Sequence, residues 1–198
     1  DPDLGWGHRW CLSRAGSPSS GPLSAVAGRM GKLLHGLVFG SLFLLAFAGG
    51  LAGLYSLRPE WVTVEGMRER VRRLLAGTWL MALVAWATVI SGTYIVYPWY
   101  RATPPAGVDL SAYPRALLLS RPETALWHRF GMEWKEHIGW FAPILATTVA
   151  YLVAYYREGL AASGSLRRTV LGLFVVAFGA AAVAGVFGAF INKVAPIR

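Results

Sequence analysis

Apolar residues in this chain fall into four long runs, at about 33–57, 74–97, 138–156 and 169–191. Crossing roughly 30 Å of hydrocarbon takes about 20 apolar residues at a helical rise of about 1.5 Å each, so each run is long enough to span a membrane as a helix. None carries Asp, Glu, Lys or Arg beyond its ends. The segments between them are 58–73 and 157–168, short and basic, and 98–137, long and broken by Pro98, Pro104, Pro105, Pro114 and Pro122. The pattern predicts an all-α integral membrane protein. Its four transmembrane helices form an antiparallel bundle, with a long extracytoplasmic loop between helices 2 and 3.

Two regions follow from this reading. Residues 1–32 form a polar tail rich in Gly, Ser and Pro, interrupted by Trp6 and Trp10, and residues 33–198 form the membrane domain. Such a tail buries too little apolar surface to order itself and is expected to lie on a partner. No apolar core and cleavage site follow its arginines, so it does not read as a signal peptide.

Composition agrees with a membrane location, at 55% hydrophobic and 15% charged residues. The net charge of +9 comes from basic residues in the connections and fits orientation and lipid headgroups, so nucleic acid is not an expected partner. Arg58, Arg68, Arg70, Arg72, Arg73, Arg157, Arg167 and Arg168 crowd the two short loops. Under the positive-inside rule those loops are cytoplasmic and both termini extracytoplasmic, in a plasma or inner membrane. The single Cys11 excludes an internal disulfide or a multi-cysteine metal site.

Small residues indicate where helices approach one another. Gly36 and Gly40, Gly49 and Gly53, and Ala181, Gly185 and Ala189 recur at four-residue spacing and mark candidate contact faces. Pro143 leaves the Gly139 carbonyl without its helical donor and is expected to bend the third helix.

Chemistry concentrates in Trp127–Trp140, which holds His128, His137, Glu133 and Glu136. His35 lies one turn into the first span and His137 at the start of the third, so the even topology puts both imidazoles in one leaflet. Two imidazoles on facing helices supply both axial ligands of a b-type haem. Gly36 and Gly40 let a flat macrocycle approach the backbone, and Trp140 packs on it. His128 is nine residues from His137 and on the opposite helical face, so the two do not share a metal unless the segment bends at Gly131.

In architecture, through His35, His137 and the four spans, the chain resembles the four-helix membrane b-type cytochromes. That resemblance implies haem held between helices near span ends. The second and fourth spans contain no histidine, so one bis-histidine haem is the most that fits.

The expected function is a small membrane subunit of a respiratory or photosynthetic electron-transfer complex, in contact with lipid and other membrane subunits. It holds one haem b, or frames a quinone or chlorophyll-type pigment near the outer face. The alternative is a cofactor-free structural subunit. No phosphate loop, nucleophile elbow or zinc-protease motif points to a stand-alone enzyme. A pump is disfavoured because the expected span interiors hold no ionisable group.

Overall fold

The computed structural model describes residues 30–31, 33–59 and 63–195. The expectation that the tail is ordered on a partner falls outside these. All secondary structure among the described residues is helical. Four helices are long and apolar enough to cross a membrane: span one, Leu33–Ser56; span two, Val64–Tyr100; span three, Pro122–Tyr156; and span four, Gly164–Val194.

Spans two, three and four run past the apolar stretches that predict them. Span two has 37 residues, about 55 Å of helix, so its ends project beyond the hydrocarbon. Its start is fixed by Thr63, whose Oγ1 accepts from the Gly66 N–H at 3.1 Å. Glu65 in the first turn complements the helix dipole. Ser163 caps span four in the same way, at the Leu166 N–H. Span three ends at Arg157, whose φ of 43° places a non-glycine residue in the left-handed region that reverses the chain.

Span three begins sixteen residues earlier than its apolar run. Pro122 opens the helix, and a wide π-helical turn at Trp127–Met132 carries it into Glu133–His137. A tightened 3₁₀ turn follows at Ile138–Trp140, where the Phe141 N–H reaches the Gly139 carbonyl that Pro143 cannot serve. The connection from span two is therefore shorter than the apolar pattern implies. It contains a short turn at Leu110–Ala112 and a helix at Pro114–Leu119.

Spans one and two, two and three, three and four, and one and four are in contact. The main core includes Phe43, Leu54, Leu74, Met81, Val149, Val153, Val170 and Phe174. Glycine lets two of these close. A Cβ on Gly50 would lie 2.5 Å from the Phe174 ring, and one on Gly53 would lie 3.1 Å from Leu74. Gly36, Gly40, Gly49 and Gly185 instead face open space. The expected small-residue faces are thus only partly used within this chain.

Candidate functional site

Three π-helical segments lie at one end of the four helices: Leu33–Val38, Gly92–Val96 and Trp127–Met132. Contacts establish that they are neighbours. His35 of span one meets Ser91 and Gly92 of span two, Tyr100 of span two meets His128 of span three, and Gly131 of span three packs on Phe187 and Ile191 of span four. A π turn widens the helix and re-aims its side chains, and such turns are enriched at functional sites.

His35 is half-buried, with Nδ1 3.1 Å from Ser91 Oγ. The Ser91 hydroxyl donates to the Thr88 carbonyl at 3.0 Å, so its oxygen accepts from Nδ1–H. The Thr88 carbonyl is a second hydrogen-bond partner of the ring. Gly92 makes room for the ring, because a Cβ there would lie 2.8 Å from Cε1.

His137 has the same protonation pattern for a different reason. Its Nδ1 is 3.0 Å from the Glu133 carbonyl, which can only accept, and 3.5 Å from the Glu133 carboxylate. Its side chain is 70% exposed and anchored to its own helix. The two imidazoles are therefore held by different helices, His35 between spans and His137 at the surface. Trp140 packs edge-on against Trp86 at 6.2 Å, and Trp86 Nε1 donates to Thr147 Oγ1 at 3.0 Å, tying span two to span three.

His128 is the most fully engaged histidine. Arg115 Nε donates to its Nε2 at 3.5 Å, so Nδ1 carries the proton and donates to the Tyr100 hydroxyl at 2.9 Å. The neighbouring Glu136 carboxylate lies within reach of Tyr97 and acts on Tyr100 and His128. This group joins the inter-span connection to spans two and three. With both nitrogens occupied, His128 is positioned for structure or proton exchange rather than ligation.

Lys135 was not singled out by its sequence context. It lies within the span-three helix, with Nζ against span four, 2.7 Å from where a Gly188 Cβ would be. Its charge also acts on His35. The lysine lies just before the uncharged run that begins at Ile138, so the four apolar runs themselves hold no Asp, Glu, Lys or Arg. The signal available in advance was the run of compatible helix formers from Pro122 onward, which extends the helix beyond its apolar part. Among the described residues, no group of three His, Cys, Asp or Glu side chains converges as a metal site. An open cavity of about 560 Å³ lies away from the histidines, lined by Pro59, Thr63, Val64, Met67, Arg68 and Glu158.

Comparison with known proteins found no matching family, no matching curated protein and no matching solved structure.

Proposed function

We propose that this chain is a small integral-membrane subunit of an electron-transfer complex, holding a metal-bearing tetrapyrrole, b-type haem first, through His35. The observation that carries this reading is the state of the His35 ring. Nδ1 lies 3.1 Å from the Ser91 hydroxyl in a half-buried ring, and donation from Nδ1–H there would leave the Nε2 lone pair to a metal. Ligating histidines are oriented through the other ring nitrogen in this way. A lone pair suits haem iron or a chlorophyll-type magnesium, whereas a quinone carbonyl requires a donor.

His137 offers a second lone pair, but its exposed ring must turn inward to share one macrocycle with His35. Attachment through His35 alone needs no such movement. Gly36 and Gly40 leave open space beside the helix that carries His35, where a planar group meets no side chain. The reading includes an antiparallel bundle in a plasma or inner membrane, with the His35 end and both termini extracytoplasmic. The arginines of 58–73 and 157–168 support that orientation.

A reduced-minus-oxidised visible spectrum of the purified chain tests the proposal, alongside His35→Ala and His137→Ala. A b-type band lost in His35→Ala supports it, and loss in both variants makes His137 the second ligand. An intact, folded preparation without pigment sinks the cofactor assignment. It would leave the second reading, a cofactor-free structural subunit. The open faces at Gly36, Gly40, Gly49 and Gly185 favour that reading, since another subunit's helix could approach closely there.

A further inference from the structure

The exposed residues of span three form one stripe along the helix, at three- or four-residue spacing. From Phe141 through Ile144 to Tyr151 the stripe is what a lipid-facing surface needs, and Thr148 within it turns its hydroxyl back onto the Ile144 carbonyl. Nearer the histidine end the same stripe carries Arg129, Glu133 and His137. The Glu133 and His137 side chains are 57% and 70% exposed.

Ring contacts set the depth of this polar part. Trp127 stacks on Phe190 at 5.0 Å, and Phe187 lies 5.5 Å from Phe130 and 6.2 Å from Trp134. Phe187 is inside the apolar run 169–191, with Lys193 the next charged residue of span four. Glu133 and His137 are therefore level with apolar helix, and the exposed residues beside them on span four are Val186 and Phe190. Span two at this level, between its contacts of Trp86 with Trp140 and Tyr100 with His128, exposes Tyr94 and Ile95. A long arginine stem can lift its charge to water, but the shorter Glu133 and His137 side chains reach much less far. Ionisable groups at such depth ordinarily face protein or a water-filled cavity, and these point away from their own bundle.

We infer that this stripe is the seam of a two-fold dimer, in which Arg129 and Glu133 of span three meet Glu133 and Arg129 of a second copy of the chain. The charges on the stripe identify the occupant. Arg129 makes no ion pair among the described residues. Glu133 has His137 at 3.5 Å, an ion-pair partner only while the imidazole is protonated. A cation and an anion one helical turn apart are self-complementary, because a copy related by an axis along the membrane normal runs parallel and brings each Arg129 within a turn of the other Glu133. The two crossed pairs leave no net charge on the seam. Phe130, Phe141 and Ile144 supply the apolar contact around them. This seam does not depend on a cofactor at His35, whose ring is held on Ser91 of span two, away from the stripe.

The test is disulfide cross-linking of the full chain in the membranes of the expressing cell, in a Cys11→Ser background so that one introduced cysteine reports one position. Ile144→Cys, on the stripe, gives a cross-linked dimer, and Leu45→Cys, exposed on span one, does not. Adding Glu133→Arg or Arg129→Glu to Ile144→Cys puts like charges across the seam and lowers the dimer yield at least tenfold, on the order of the cost of one like-charge contact. The exchanged variant R129E/E133R restores the yield, and co-expressed Arg129→Glu and Glu133→Arg chains form together the dimer that neither forms alone. No cross-link at Ile144→Cys overturns the seam, as does a cross-link at Leu45→Cys of equal strength. A yield unchanged by both single reversals overturns the ion pairs. Single reversals that abolish the dimer without recovery in the exchanged variant overturn the second copy as the partner of these charges. If the reversals do not insert, Arg129→Gln and Glu133→Gln take their place, and the full yield in both overturns the pairs.

Discussion

The two ends of the bundle place their cations on different partners. At the arginine-rich end, Arg167 Nη1 donates to the Leu57, Leu160 and Ala161 carbonyls, and Arg70 donates to the Ser56 carbonyl. Arg157 donates to Ala154, and Arg72 and Arg73 pair with Glu69. These guanidiniums satisfy the orphan carbonyls of helix ends and tie loops to spans. At the histidine end, Arg101 donates to the Tyr97 hydroxyl and Arg115 to the His128 ring, which in turn meets the Tyr100 hydroxyl. Bonds to backbone carbonyls hold loops on helix ends, whereas bonds between side chains tie one span to the next.

The largest effect that would break this contrast comes from Arg167. Arg167→Met removes a charged donor shared by three carbonyls from two segments. It is expected to cost about 3 kcal/mol in chemical unfolding in micelles, with Lys recovering part of the loss. A negligible loss would mean that the arginine end is held by its apolar core alone. At the other end, Gly92→Ala puts a methyl group 2.8 Å from His35 Cε1. Overpacking of this kind is expected to cost about 1–3 kcal/mol and to displace the ring from Ser91. Faster modification of His35 by a histidine-directed reagent, read by mass spectrometry, checks it; an unchanged rate would show that Gly92 does not seat the ring. The smallest effect is assigned to Glu69→Gln. Its partners Arg72 and Arg73 are 79% and 77% exposed, so the unfolding midpoint should not move measurably.

The four membrane-length helices were legible in the apolar runs because lipid forces each span to satisfy its own backbone, so run length translates directly into helix. His35 was legible as a candidate because an imidazole one turn inside an apolar run is conspicuous. Lys135 was not. Charged residues lower the average hydropathy of 122–137, so a pattern reading ends the span at Ile138, while helix geometry carries it back to Pro122. The same sixteen residues bring His128 to Tyr100 and Arg115, a partnership between segments distant in sequence that one-chain periodicity does not encode. Small-residue spacing identified candidate faces but not which of them meet. In span one, bulky Phe43 and Leu54 share the buried face with Ala46 and Gly50, leaving neighbouring Gly49 outside it.

Four phenylalanines join the first helix to the last. Phe47 stacks on Phe178 at 3.8 Å and on Phe174 at 5.1 Å, and Phe43 lies 6.1 Å from Phe178. A ribosome delivers these rings far apart in time, so span one enters the bilayer with its aromatic side bare until the final span arrives. Nascent chains stalled before residue 174 therefore present a ring-lined flank that an insertion chaperone or a degradation system can recognise. Synthesis of span four covers that flank.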